Sequence, residues 1–282
     1  LQQSSAASDV YKRQVKAKEK IDQLASKLSR YLSPQVYQSI FSGKKNVKIE
    51  AYRKKLTVFF SDIKGFTEIT DRLEPEVLST LLNSYLNEMS KIALKYGGTI
   101  DKFVGDAILI FFGDPETKGD KEDAYSCVLM ALEMQERMHH LKNLWEGQGI
   151  TNPLEIRIGI NTGYCNVGNF GSENRLDYTI IGGEVNLASR LESNAMTGQI
   201  LISQETYALI KKHIICEKKD EIKVKGIAHK IQTYQVVGSY KNIAQKRKIL
   251  NEEFDGFKLN IDLNVSKKNK IITSLENTLK QL

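Results

Sequence analysis

At 282 residues with 41% hydrophobic content, the chain is long and apolar enough to bury a core, which excludes an intrinsically disordered protein. Its net charge of +7 comes from lysines spread along the whole length and only mildly denser after Lys241. This reads as a solvated basic face, so no nucleic-acid partner is expected. The longest apolar run, Ala107 to Phe112, is far too short to cross a bilayer, and the start lacks the order of a signal peptide. Cys127, Cys165 and Cys216 are widely spaced with no Cys-x-x-Cys pair, which predicts buried free thiols in a reducing compartment, hence a cytoplasmic location.

Leu1 to Arg13 is polar and without usable periodicity; it is expected to be disordered or of non-native origin and is set apart from the fold. From Gln14 to Tyr31 a short heptad stripe follows, with Ala17, Ile21, Leu24, Leu28 and Tyr31 three and four apart. Two readings stand for this stripe. It is either a helix packed on the domain that follows or a signalling helix joining an upstream sensor to a dimeric output domain. Pro34 after Leu32-Ser33 ends the stripe and opens a new helix, so residues 14–50 form a helical linker.

Residues 51–238 read as an α/β domain of alternating elements. Leu56-Thr-Val-Phe-Phe-Ser-Asp62 is an apolar strand ending in a carboxylate, and Ile63-Lys-Gly65-Phe66-Thr67 leads from it towards a long helix. That helix opens at Glu74-Pro75-Glu76, buries Val77, Leu81, Leu82, Tyr85, Met89 and Ile92, and closes at Gly97-Gly98. Next comes a hairpin, Ile100-Asp-Lys102-Phe-Val-Gly105-Asp106-Ala-Ile-Leu-Ile-Phe-Phe112, with Asp106 at its tip. A second helix runs from Asp120 to about Leu144, with Tyr125, Val128, Leu132, Met134 and Met138 inward and Gly147 and Gly149 at its end. Leu154 to Ile160 alternates as a strand, and a second strand, Tyr164 to Gly168, is expected to return after a turn at Thr162-Gly163. The order β-α-β-β-α-β is that of a ferredoxin-like palm carrying additional strands and helices.

The additions begin with Asp177-Tyr-Thr179-Ile-Ile-Gly-Gly183, a strand and turn, and a helix Glu184-Val-Asn186-Leu-Ala-Ser-Arg190-Leu-Glu192. Asn186 and Arg190 lie four apart and share a helix face. Gln199 to Ser203, Lys218 to Lys225 and Thr233 to Val237 are read as further strands, and 239–282 as an accessory tail. That tail holds an alternating stretch, Phe257/Leu259/Ile261/Leu263/Val265, and a final helix.

Separate carboxylates at strand ends, as Asp62 and Asp106 would be, suit a two-metal site for phosphoryl transfer. An amide and a guanidinium on one face, as at Asn186 and Arg190, can orient a ribose and neutralise charge growing on a phosphate. With these pieces together, the region resembles the class III nucleotidyl cyclase catalytic domain, and its Lys102/Thr179 pair is similar to that of the bicarbonate-responsive adenylate cyclases. The resemblance implies the following roles. Asp62, Asp106 and the main-chain carbonyl of Ile63 bind two Mg²⁺ or Mn²⁺, Asn186 orients the ribose, and Arg190 stabilises the pentavalent transition state. Lys225 holds terminal phosphates, and the amides of Gly65, Phe66 and Thr67 add phosphate contacts. It also implies a homodimer in which the metal aspartates and the set Lys102, Thr179, Asn186, Arg190 come from different subunits, with ATP as substrate.

Purine choice is expected at Lys102 and Thr179. A lysine donates to N1 of adenine and a threonine hydroxyl accepts from its exocyclic amine, whereas guanine presents the reverse pattern. Guanylate-forming relatives tend to carry Glu and Cys at these two places. The competing readings are a guanylate cyclase, a palm polymerase or dinucleotide cyclase, for which the Gly-Gly-Asp-Glu-Phe stretch is missing, and a silent nucleotide-binding dimerisation module.

Overall fold

The computed structural model describes residues 2–43, 48–147, 150, 154–223, 230–240, 249–254, 257–262 and 268–280. Helix α1 spans Gln2–Leu28, so the polar opening segment continues the heptad helix instead of standing apart from it. A 3₁₀ turn, Ser29–Tyr31, joins it to α2, Pro34–Phe41, whose N-cap Ser33 accepts from the Val36 N–H and whose first residue is the proline that ended the stripe. Ile21, Leu24, Leu28 and Tyr31 are all exposed, so the stripe does not pack on the domain that follows it.

The domain itself is built from β1 (Ala51–Ile63), α3 (Phe66–Thr70), α4 (Pro75–Tyr96), β2 (Thr99–Val104), β3 (Ala107–Phe112), α5 (Asp120–Gly147) and β4 (Ile156–Ser172). It continues with β5 (Arg175–Ile181), α6 (Gly183–Asn194), β6 (Ile200–Ser203), α7 (Gln204–Ile210), β7 (Ile214–Lys218) and β8 (Thr233–Ser239). One sheet runs in the order β2-β3-β1-β4-β6-β8-β7, with β5 paired to the far end of β4. The first four strands have the palm order, with β1 central and antiparallel to both β3 and β4.

Strand alternation divides the core into two layers. Phe59 and Ile63 of β1, Ile108, Ile110 and Phe112 of β3, and Ile156, Ile158 and Ile160 of β4 face α4 and α5, meeting Leu81, Tyr85, Met89, Met130 and Met134. Burying each such side chain contributes about 1.5–3 kcal/mol. Leu56 and Val58 face the other way, with Leu109, Phe111, Val167 and Ala188 of α6. Asp62 has the parity of Leu56 and Val58 and therefore emerges on the α6 side. Helix α4 ends as its sequence dictates, with Gly97 at φ 84° and the Gly98 N–H returning to the Ala93 carbonyl. Val77, expected to be inward, is 41% exposed, because burial on α4 starts a turn later at Leu81.

The expected turn at Thr162-Gly163 is absent. β4 is one strand of 17 residues paired with β1 from Ala51↔Gly168 to Ile63↔Ile156. Polar residues and glycine imitate a turn there for reasons of packing. Thr162 is buried between the hydroxyls of Thr57 and Thr206, at 2.9 and 3.0 Å, and Asn161 donates to Glu184. Gly163 and Gly159 leave room for α6: a Cβ at Gly159 would lie 2.2 Å from the Ala188 oxygen and the Glu192 nitrogen. Gly159→Ala should therefore push α6 off the sheet and cost about 1–3 kcal/mol or more, read as a fall in melting temperature. An unchanged melting temperature would refute this reading.

Two more differences concern the far edge. The strand expected at Lys218 to Lys225 lies earlier, at Ile214–Lys218; between it and β8 the described residues hold only an isolated bridge, Ile222 with Ile231. Helix α7 follows its Ser203 cap, which accepts from the Thr206 N–H, and was not foreseen. The tail forms a hairpin, β9 (Ile249–Phe254) with β10 (Phe257–Asp262), and a helix α8 (Lys268–Leu279), so one strand more than expected. Lys225, Gly149, Leu263 and Val265 lie outside the described residues. Cys127, Cys165 and Cys216 are free thiols, as expected, with Cys127 and Cys165 buried but Cys216 only half-buried on β7. Among the described residues no helix is long and apolar enough to cross a membrane.

Candidate active site

Gly105 takes φ 65° and turns β2 into β3, which sets Asp106 at the hairpin tip. Since β1 and β3 are antiparallel, with Ser61 opposite Ile108, that tip falls beside the end of β1. The Ile63 N–H donates to Asp106 Oδ2 at 3.0 Å, and Asp62 lies close enough to act on the same carboxylate. Burial, then the hydrogen bond and charge of Asp62, push the Asp106 carboxyl up to about 6. Two carboxylates so placed carry more negative charge than their surroundings balance.

Opposite Asp62 in the β1–β4 register stands Arg157, which sequence reasoning missed. Its Nη2 donates to Asp62 Oδ2 at 3.1 Å and lies 2.9 Å from Glu192 Oε1 of α6, an ion pair without the alignment of a hydrogen bond. Arg157 Nε is buried and has no hydrogen-bond partner among the described residues. Burial raises the Glu192 carboxyl, and Arg157 opposes that shift. The sequence shows only a cation within an alternating strand; that its face meets α6 beside Gly159 and Asn161 depends on the β1–β4 register.

On the other side of the hairpin the structure brings Lys102 and Thr179 together through a residue that sequence reasoning passed over. The β2–β3 register slips between Ile100 and Lys102, a bulge that turns Asp101 inward. Thr179 Oγ1 donates to Asp101 Oδ2 at 2.6 Å, the Ile180 N–H donates to the same oxygen at 3.3 Å, and Lys102 Nζ lies 3.4 Å from Oδ1. Burial pushes the Asp101 carboxyl up, while Thr179 and Lys102 act against it.

Asn186 and Arg190 lie one turn apart on α6, both exposed and without a side-chain hydrogen bond among the described residues. Glu192 and Arg190 are two residues apart, so their side chains leave the helix about 200° from one another. The face that holds Glu192 against Arg157 and Asp62 is thus opposite to the one that carries Arg190. Gly65, at φ 68°, caps α3; Phe66 packs on the core and Thr67 is exposed, just past the carboxylates.

A palm sheet with one carboxylate near the end of its central strand and a second at the adjacent hairpin tip is the arrangement expected of the nucleotidyl cyclases. The chain belongs to that family: residues 47–238 match the adenylate and guanylate cyclase catalytic domain. It is 33% identical over 228 residues to the terminal-differentiation-specific adenylate cyclase of Dictyostelium discoideum, covering 78% of this chain but 10% of that protein. The adenylyl cyclase CyaB from P. aeruginosa is similar at 64% identity and TM-score 0.67, over 68% of this chain and 98% of that one. The guanylate cyclase domain of RhGC from Catenaria anguillulae, solved with GTP, is 34% identical with TM-score 0.60, over 67% and 99%.

Proposed function

We propose that the domain converts ATP to 3′,5′-cyclic AMP and pyrophosphate at a site formed between two copies of this chain. The observation that carries the choice of ATP is the Lys102–Asp101–Thr179 cluster, which sets an ammonium donor and a hydroxyl side by side, as the N1 and exocyclic amine of adenine require. Residues 51–238 are the catalytic domain, 14–50 connect it to an upstream sensor, and 239–282 are accessory.

The residues present fit divalent cations. Asp62 and Asp106 are hard oxygen donors whose mutual repulsion a cation would relieve, and magnesium is held by one or two carboxylates together with substrate phosphates. Asp62, Asp106 and the Ile63 carbonyl would hold two Mg²⁺ or Mn²⁺. When bound, these ions supply charge for the triphosphate and acidify the ribose 3′-hydroxyl. Asp62 is held in place by its ion pair with Arg157, and the Gly65, Phe66 and Thr67 amides meet phosphate oxygens. Asn186 aligns the ribose so that the 3′-oxygen attacks the α-phosphorus in line. Arg190 then lowers the energy of the crowded phosphate. Lys225 is assigned the terminal phosphates on the resemblance alone.

Two features support the shared site. Arg190 leaves α6 on the face opposite to the one bound to its own Asp62, and Phe103, Val104 and Ile181, beside Lys102 and Thr179, are exposed apolar side chains suited to a partner surface. The uncovered stripe on α1 suits the same two-fold pairing.

Product analysis with ATP and GTP in Mg²⁺ or Mn²⁺ tests the reading: cyclic AMP should predominate, and a preference for GTP would sink it. Lys102→Glu with Thr179→Cys should reverse the preference. Two mismatched polar groups at about 1–3 kcal/mol each predict a loss of roughly 30-fold to 10⁴-fold in kcat/KM for ATP. Stimulation by bicarbonate at constant pH is the corresponding test of the subgroup resemblance.

A further inference from the structure

We infer that Asp101 is a specificity-determining positioning residue, which turns the Thr179 hydroxyl into a dedicated acceptor for the purine. This rests on the reading of the site as an ATP cyclase and goes beyond it by naming what makes an ambivalent side chain selective. A threonine hydroxyl has one proton and two lone pairs. Left to itself it accepts from the exocyclic amine of adenine or donates to O6 of guanine with equal ease, so threonine alone encodes no choice.

In this chain the choice is removed. The Asp101 side chain is 1% exposed, and Asp101 Oδ2 takes the Thr179 proton at 2.6 Å. An ionised carboxylate can only accept, so the proton belongs to that bond and lone pairs alone face the base. The Ile180 N–H, at 3.3 Å on the same oxygen, fixes the carboxylate against the strand that carries Thr179. Asp101 Oδ1, 3.4 Å from Lys102 Nζ, holds the ammonium that donates to N1 beside the Thr179 hydroxyl. The β2 bulge makes this possible by aiming two consecutive residues, Asp101 and Lys102, at one place, where a regular strand would send them to opposite faces. One buried carboxylate thereby sets donor and acceptor together, each in the sense that adenine requires.

The test is the ratio of kcat/KM for ATP to that for GTP in Asp101→Ala, Asp101→Asn, Thr179→Val and Asp101→Ala/Thr179→Val, with melting temperatures recorded. Asp101→Ala frees the hydroxyl to donate and should lower the ratio by roughly 5- to 150-fold. Asp101→Asn keeps a carbonyl acceptor for Thr179 and should retain most of the selectivity. In the Thr179→Val background, removing Asp101 should change the ratio much less, since only its contact with Lys102 is left to lose. If Asp101→Ala does not fold, Asp101→Ser, which cannot impose a direction on the hydroxyl, is read in its place. Equal losses for both nucleotides, or the same shift in ratio with and without the Thr179 hydroxyl, would overturn the inference. A wild-type protein that prefers GTP would instead overturn the ATP reading before Asp101 is changed.

Discussion

Replacing Asp106 by asparagine should lower cyclic nucleotide formation by roughly 10³-fold or more and, in the same protein, raise the metal-free melting temperature above pH 7. The loss follows from removing one of the two carboxylates proposed to hold the cations, whose stabilisation of transition-state charge would be several kcal/mol at about 1.4 kcal/mol per tenfold. The gain follows from electrostatics. The Asp106 carboxyl is raised to about 6 by burial and by Asp62, whereas an unfolded aspartate titrates near ~3.9. The folded state therefore holds the proton more tightly, and the stability this group contributes is present below the unfolded value and lost as pH rises through about 6. Asparagine is neutral at every pH and keeps a carbonyl for the Ile63 N–H, so it should not suffer this loss. Since solvent screens a half-exposed carboxyl, the difference is about 1 kcal/mol, or roughly 2–4 °C for a domain of this size. Thermal melts in EDTA from pH 4 to 8 should draw apart between about pH 4 and 6 and stay apart above that, and added Mg²⁺ should close the gap by stabilising wild type alone. A variant that melts lower than wild type at pH 8 in EDTA would disprove the repulsion between the carboxylates.

What the sequence disclosed and what it hid divide along physical lines. The palm was legible because its elements carry strong local signals: Pro75 and Gly97 bracket α4, alternating isoleucines mark the start of β4, and Gly105-Asp106 interrupts an apolar hairpin. Asp62, Asp106, Lys102 and Thr179 were legible as residue types in order. The continuity of β4 was not, since Asn161, Thr162 and Gly163 look like a turn until α6 is placed against them. Helix α7 is seven residues long, and its cap at Ser203 was its main signal. Arg157 and Asp101 were hidden for a different reason. Each acts on another side chain across the sheet, Arg157 on Asp62 and Asp101 on Thr179, and such pairing depends on register and on a bulge, which composition does not reveal.

Mixing two inactive proteins should restore activity. An Asp106→Asn protomer lacks a metal carboxylate but offers Lys102, Thr179, Asn186 and Arg190 intact; an Arg190→Ala protomer offers the reverse. Alone, Arg190→Ala should fall by roughly 10²–10³-fold, the scale of losing one preorganised charge at a transition state. In a two-fold dimer of the two variants one site gathers both defects and the other has none. Random exchange of equal amounts makes half of the dimers mixed, each with one working site of two, so the mixture should reach about a quarter of the wild-type specific activity. The geometry behind this expectation is α6 itself. Its Glu192 face is fastened through Arg157 to the Asp62 of the same chain, which commits Asn186 and Arg190 to the opposite, exposed face. The measurement is cyclic AMP formation by the mixture, with subunit exchange followed by cross-linking of differently tagged protomers. Exchange without recovery would mean that each chain completes its own site, and that Arg190 acts, if at all, on the carboxylates of its own protomer.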